Sequence, residues 1–143
     1  MSHVTFDGQT HELIVRDRNG RVVGTGHANN RTDSHATLQF VPDGTYAVRD
    51  RVVPHRHGRA EDTVNGMYGT FGIIRIVMNG HVGIGIHAGR QSEPDTTPER
   101  AIGPDHVTKG CIRTNEETMR CITELMRNDP LLSVTVLNNR RQR

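Results

Sequence analysis

The sequence is poor in aromatic residues: they make up 3% of its 143 residues, and Trp is absent. A hydrophobic core must therefore be built mainly from Val, Ile, Leu and Met, a mixture that favours strands. The scarcity of rings also argues against a nucleic-acid-binding domain, because few side chains are available to stack on bases. A formal net charge of +2 is too small to indicate a polyanionic partner.

Cysteine is scarce too, with Cys111 and Cys121 as the whole complement. Two cysteines do not form a disulfide framework in a chain of this size, so both are predicted to be free thiols. Long apolar runs are missing: none approaches the roughly 20 residues that span a bilayer, and the N-terminus lacks the features of a secretory signal. The length fits one domain, residues 1–143, with no membrane partner.

The most informative stretch is residues 108–113, Thr-Lys-Gly-Cys-Ile-Arg. Thr114 then opens a Thr-x-x-Glu pattern ending at Glu117, which is typical of a helix capping box. This pattern predicts a helix N-terminus just after Cys111, where unpaired N–H groups and the helix dipole would favour a thiolate. Cys111 is therefore a candidate nucleophile, with backbone N–H groups around Gly110 available to stabilise an oxyanion.

The nine histidines all lie at or before position 106, so a base for the cysteine must come from upstream. His87 is the best candidate, because it ends an alternating run, 81–86, that is typical of a strand and breaks into a glycine-containing loop. His106 is its competitor. His55 and His57 form a His-x-His pair, but no third ligand lies at a suitable spacing, so we predict a solvated loop and neither metal nor cofactor.

Two motifs together resemble the catalytic signature of the L,D-transpeptidases, or YkuD-like domains: Ile86-His87-x-Gly89 and Thr108-x-Gly110-Cys111-Ile112-Arg113. The resemblance implies that Cys111 is the nucleophile and His87 the general base. It also implies that Thr108 and Gly110 shape the turn around the thiol, while Arg113 orients the substrate.

Two positions depart from the family pattern. Lys109 stands where most members have a second His, and Ala88 stands where they usually have Gly. Lys109 can hold a substrate carboxylate or simply replace the missing ring with a solvated ammonium, and Arg90 is a further candidate substrate-binding residue. The loss of the second His motivates an alternative function, a catalytically inactive peptidoglycan-binding module.

The resemblance implies cysteine-dependent acyl transfer on peptidoglycan tetrapeptide stems, cut after meso-diaminopimelate with release of D-Ala. The acceptor stays open among another stem, a free D-amino acid and water. The site of action would be the periplasm or cell wall. Because no Sec signal is evident, we expect export by a dedicated secretion machinery as an antibacterial effector, with an immunity protein as a further partner; the alternative is a housekeeping enzyme without its leader.

Turn residues punctuate short strand-like runs in the first half of the chain. Asp7-Gly8 predicts a first hairpin, and Asn19-Gly20 predicts a second one with a type I′ turn. Residues 27–37 are polar and predict a loop, and residues 41–48 predict a turn that feeds another strand. The sheet is thus expected to begin at the N-terminus.

The second half combines a long loop, a hairpin and a helix. Residues 54–70 lack apolar periodicity and predict an exposed loop. Residues 71–86 predict the strongest hairpin, with a first arm apolar enough for a central strand. A helix is predicted over 115–127 and a last strand over 133–137. The expected fold is mainly β with one main α-helix, and the resemblance implies a YkuD-like sandwich or barrel of mixed sheets.

Overall fold

A computed structural model describes residues 1–91 and 102–140. Within these ranges the chain forms strands β1 (Ser2–Asp7), β2 (Glu12–Arg16), β3 (Val22–Asn29), β4 (Gly44–Ala47), β5 (Ile74–Arg75), β6 (Gly85–His87), β7 (Ile112–Thr114) and β8 (Leu131–Leu137). Helix α1 spans Glu116–Met126, and one short 3-10 turn spans Gly103–Asp105. The predicted class, mainly β with one main helix, is confirmed. None of the helices in the described ranges is long and apolar enough to cross a membrane.

The strands form one curled mixed sheet in the order β4-β8-β1-β2-β3-β7-β6-β5. The pairs β1–β8 and β6–β7 are parallel, and the other neighbours are antiparallel. The two ends of the sheet approach each other, since Arg49 N donates to Arg75 O and Val77 N donates to Ala47 O, both at 2.8 Å. The sheet therefore curls towards a barrel, around a core of Val, Ile, Leu and Met with Phe6.

The predicted hairpins are present, with three corrections. The first, β1–β2, is confirmed, but the Asn19-Gly20 turn is not type I′, because Gly20 has a positive φ and Asn19 does not. The Asp17 carboxylate instead accepts from the N–H groups of Asn19 and Arg21 and sets the turn. Residues 27–29, predicted as loop, extend β3 because they pair with β2 and β7.

The third correction concerns the hairpin predicted over 71–86. Its strands β5 and β6 do pair, but each is only two or three residues long, and β5 lies at the end of the strand order rather than at its centre. Glycines with positive φ, Gly72, Gly80 and Gly83, interrupt the extended backbone around these strands. The result is a loop between β5 and β6 in place of a long hairpin.

Helix α1 begins later than the sequence pattern predicts. Its N-cap is Asn115, whose side-chain oxygen accepts from Thr118 N at 2.8 Å. Thr114 is instead the last residue of β7, and its hydroxyl donates to His27 O at 2.8 Å. The predicted capping box is wrong because strand pairing of β7 occupies the residue that would have capped the helix.

The helix packs its apolar stripe, Met119, Ile122 and Met126, into the core. The helix approaches β3 closely because Gly26 has no side chain. A Cβ at that position would lie only 1.7 Å from Thr118 Oγ1. Cys121 lies half-buried in the same contact, and both cysteines are free thiols, as predicted.

Candidate active site

The parallel pair β6–β7 brings His87 and Cys111 to one cleft. His87 is the register partner of Arg113, so their side chains share a face. Cys111 immediately precedes β7 and lines the same cleft as His87 and Arg113. Their neighbours Ile86 and Ile112 point the other way, into the core. The sheet thus anchors the two segments that bring the imidazole and the thiol into one cleft.

The orientation of the His87 ring is set by its own loop. Nδ1 lies 2.8 Å from Ala88 O, and because a carbonyl oxygen can only accept, the proton sits on Nδ1. Nε2 is left as the free lone pair of a base. Burial, together with the nearby charge of Arg113, lowers the pKa of His87 to about 3, so the imidazole is neutral at pH 7.

Cys111 is 8% exposed, and its thiol donates to Gly83 O at 3.5 Å. Burial raises the pKa of the thiol to about 11, although the Gly85 backbone and the Arg113 charge lower it in part. The predicted helix N-terminus beside the thiol is wrong, because β7 separates Cys111 from α1. The resting pair is therefore a neutral thiol and a neutral imidazole, and the thiol depends on a base at the moment of attack.

The turn that carries the thiol is braced by side-chain hydrogen bonds. Thr108 Oγ1 donates to Cys111 O at 2.7 Å and accepts from Gly110 N at 3.2 Å. Asn30, which the sequence did not single out, donates through Nδ2 to the carbonyls of Gly110 at 2.8 Å and Cys111 at 3.1 Å. Because the Gly110 N–H is held by Thr108, it can serve an oxyanion only if that hydroxyl moves away.

We expect Gly110→Ala to destabilise the fold by about 2–4 kcal/mol. Gly110 has φ 136°, and an added Cβ would lie 2.8 Å from Ile84 Cδ1 and 3.3 Å from Leu38 Cβ. Gly80→Ala is the matched control, since Gly80 also has a positive φ, 80°, but nothing within 4 Å. Urea unfolding of both variants measures the difference. Equal losses would show that backbone strain alone, and not packing under the thiol, requires Gly110.

A cleft of about 520 Å³ opens over the pair. His87, Cys111 and Arg113 lie at its floor, and Thr108, Lys109 and Arg90 also line it, so six of the seven predicted site residues meet here and the seventh, Gly110, underlies the turn. His106, the competing base, lines the same cleft. The structure adds residues that the sequence did not indicate: Asp33, Thr37, Met67, Tyr68, His81 and Val82.

Arg113 is 2% exposed and holds the cleft together. Its guanidinium donates to the carbonyls of His106 and Val107, both at 3.2 Å, and of Met67 at 2.9 Å, joining loops on two sides. Burial lowers its pKa to about 10, with Arg90 adding to the effect, so it stays charged at pH 7. These bonds give Arg113 a structural task; substrate orientation by Arg113, Arg90 and the exposed Lys109 stays a prediction.

We predicted that His55 and His57 lie in a solvated loop, and the structure confirms this only in part. Residues 54–70 form no helix or strand, as predicted, but the His57 ring stacks on Tyr68 with centroids 3.8 Å apart. Among the described residues, no group of three or more His, Cys, Asp or Glu side chains is arranged to hold a metal.

Comparison with known proteins places the fold. No protein-family model and no curated protein matches the sequence. Solved structures do: an L,D-transpeptidase (Yku) from Stackebrandtia nassauensis has a TM-score of 0.55 at 16% identity over 97% of this chain. Mycobacterium tuberculosis L,D-transpeptidase 1 has a TM-score of 0.51 at 15% identity over 95% of this chain.

The present chain spans 56% and 60% of the length of those two proteins. At such identities the likeness concerns the fold alone. The chain thus has the curled mixed sheet of the L,D-transpeptidase, YkuD-like fold, as the motifs around His87 and Cys111 predicted.

Proposed function

We propose that this domain is a cysteine-dependent acyltransferase that acts on peptidoglycan tetrapeptide stems. The observation that carries the proposal is that Cys111, directly before β7, and His87, at the end of β6, line one open cleft in an L,D-transpeptidase fold. An inactive binding module would have no need of a buried thiol beside an imidazole whose Nε2 is unprotonated.

The chemistry follows from the neutral resting pair. His87 Nε2 takes the thiol proton as Cys111 Sγ attacks the scissile carbonyl, giving a tetrahedral oxyanion and an imidazolium. The imidazolium then donates this proton to the leaving amine, the C–N bond breaks, and a thioester remains on Cys111. An amine or water, deprotonated by the again neutral His87, attacks the thioester and releases the thiol.

The charges around the cleft favour a substrate that bears both an ammonium and a carboxylate. Lys109 and Arg90 line it as cations. Asp33 is next to Lys109, because Thr32 and Thr108 form a parallel bridge and Asp33 N donates to Thr108 O at 2.8 Å. A diaminopimelate residue carries both groups on its side chain, which supports the stem peptide as substrate.

Incubation with purified disaccharide tetrapeptide, with and without a free D-amino acid, tests the proposal by mass analysis. Release of the terminal D-Ala indicates hydrolysis, its replacement indicates exchange, and a cross-linked dimer indicates transpeptidation. Binding of the muropeptide with no change in mass would instead support the alternative, an inactive peptidoglycan-binding module.

The proposed substrate places the site of action in the periplasm or cell wall, and the role of antibacterial effector stays a prediction. We expect expression in a Gram-negative host with an added signal sequence to distort cell shape and slow growth, because stem peptides in the wall would be consumed. Cytoplasmic expression is the control and should be harmless. Normal growth and shape with active periplasmic enzyme would contradict the effector role and favour a housekeeping enzyme.

A further inference from the structure

The buried side chain of Asn30 connects the turn that carries Cys111 to two distant segments of the chain. Nδ2 donates to Gly110 O at 2.8 Å and to Cys111 O at 3.1 Å. Oδ1 accepts from Val41 N at 2.6 Å and from Asn139 Nδ2 at 2.9 Å. A side-chain amide has two N–H donors and an oxygen with two lone pairs, so every hydrogen-bonding position of Asn30 is used. Asn30 is 0% exposed, and these bonds are therefore shielded from water.

The neighbours of Asn30 permit one orientation of its amide. The carbonyls of Gly110 and Cys111 can only accept, and Val41 N can only donate. Turning the amide over would place Oδ1 against two carbonyl oxygens and Nδ2 against N–H groups, which is costly in a buried site. Asn139, which follows β8 and is 1% exposed, supports the observed orientation. Its Nδ2 is itself held in place, because it also donates to Val41 O at 2.8 Å.

The bonds from Asn30 fix the peptide planes on both sides of Cys111. In a trans peptide the C=O group and the following N–H group point in opposite directions, so holding Gly110 O also fixes the direction of the Cys111 N–H. The two planes meet at the Cys111 Cα, and the direction of the Cα–Cβ bond is fixed with them. Asn30 directly follows β3, and β7 lies between β3 and β6 in the sheet. Asn30 therefore holds the turn from the side opposite to His87.

We propose that Asn30, oriented by Asn139, is a positioning residue for Cys111: it holds the thiol where both His87 and the carbonyl of a stem peptide can reach it. The inference rests on the proposed function, because it takes Cys111 as the nucleophile. Asn30 is not among the described residues that line the cleft, so it acts through the turn and not by contact with the substrate. A misplacement of about 1 Å at a reacting atom can cost about 10²-fold in rate, whereas substrate binding would change little.

The variant that tests this role is Asn30→Ala, and Ser2→Ala is its matched control. Ser2 is also 0% exposed, and its hydroxyl lies within hydrogen-bond distance of two successive carbonyls, Asp129 O at 2.8 Å and Pro130 O at 3.2 Å. Ser2 does not line the cleft. Urea unfolding measures the stability that each variant loses.

The kinetic readout on stem peptides is the separation of kcat from KM. Asn30→Ala should lower kcat by about 10–100-fold and leave KM within about threefold of the wild type, because attack is impaired and binding is not. Ser2→Ala should change either constant by less than about twofold, even where its loss of stability is similar.

A second assay needs no stem peptide. With p-nitrophenyl acetate, Cys111 Sγ attacks the ester carbonyl, p-nitrophenolate leaves, an acetyl thioester forms, and the thiol proton passes to His87 and then to solvent. The absorbance of p-nitrophenolate gives the rate of acetylation, and intact-mass analysis shows the adduct. This rate should fall by about tenfold or more in Asn30→Ala and stay within about twofold of the wild type in Ser2→Ala.

The outcomes separate a positioning role from a structural one. Acetylation of Asn30→Ala at the wild-type rate, or an equal loss in Ser2→Ala, overturns the proposal. A raised KM with unchanged kcat in Asn30→Ala also overturns it, because Asn30 would then serve binding. If Asn30→Ala does not fold, Asn139→Ala decides, since it removes a bond that orients Asn30, and an unchanged acetylation rate there overturns the proposal.

Failure of the proposed function gives a different result. If the wild type turns over no stem peptide but its acetylation depends on Asn30, the proposed substrate is wrong and the positioning of Cys111 is upheld. A wild type that is not acetylated at Cys111 overturns both proposals, because a thiol positioned for attack has to react.

Discussion

Replacing Cys111 with Ala is expected to lower the turnover of stem peptides by about 10⁴-fold or more, to the uncatalysed background. The reason is that Cys111, of the two described cysteines, is the one that lines the cleft together with His87. Among the described residues that line the cleft, no other side chain is a thiol. The rate of D-Ala release, followed by mass analysis, measures the loss.

Cys121→Ala is the matched control for that variant. Cys121 lies on α1 against β3 and does not line the cleft, so activity should change by less than about twofold. Intact-mass analysis of the wild type after brief mixing with substrate should find one acyl adduct, which Cys111→Ala lacks and Cys121→Ala keeps. An adduct on Cys121, or near-normal rates in Cys111→Ala, would contradict the assignment of Cys111 as the nucleophile.

The parts of this site that the sequence predicted are those set by local chemistry. The motif around Cys111 contains a glycine that the φ of 136° and the tight contact with Ile84 require. The strand that ends at His87 was predicted over 81–86 but begins only at Gly85; within it, Ile86 is buried against the core and His87 is turned to the other face. Such features depend on adjacent residues, so a short motif is sufficient to predict them.

What the sequence did not predict depends on pairing between distant segments. Thr114 is a residue type that favours helix N-caps, yet it is the last residue of β7. The pairing of β7 with β6 and β3 overrides this local preference. The prediction of a thiolate was wrong for the same reason, because β7 separates Cys111 from the N-terminus of α1. Asn30 braces the turn that carries Cys111 from 80 residues away, and no local pattern around Asn30 indicates that contact.

The loop of residues 54–70 is a second case in which the sequence did not predict the contacts. Its composition indicated an irregular loop correctly, but composition says nothing about which ring meets which. His57 reaches Tyr68 because Asp62 binds the backbone at His57 and Gly58 and closes the loop on itself. One member of the His-x-His pair, His57, therefore stacks on Tyr68, which in turn contacts the His87 ring.

The second large effect is expected at His87. His87→Ala should lower kcat by about 10²–10⁴-fold, because the buried thiol, with a pKa of about 11, cannot lose its proton at pH 7 without a base. His106 is the competitor in the cleft, and its Nδ1 likewise lies 2.9 Å from a carbonyl oxygen, that of Val107. It comes from the loop before the cysteine rather than from β6, so His106→Ala should cost less than about tenfold. Loss of activity in His106→Ala with normal activity in His87→Ala would reverse the two roles.

A stability measurement tests the protonation state of His87 without any substrate. The pKa of His87 is about 3 in the folded protein against an ordinary value of 6.5, so between these pH values the unfolded chain binds the extra proton. The free energy of unfolding should therefore fall as the pH drops below 6.5, by up to about 1.4 kcal/mol per pH unit from His87, until about pH 3. In His87→Gln this slope should be reduced by that amount. Denaturant unfolding between pH 4 and pH 7 measures both slopes, and equal slopes in wild type and His87→Gln would show that the imidazole is not held neutral beside Cys111.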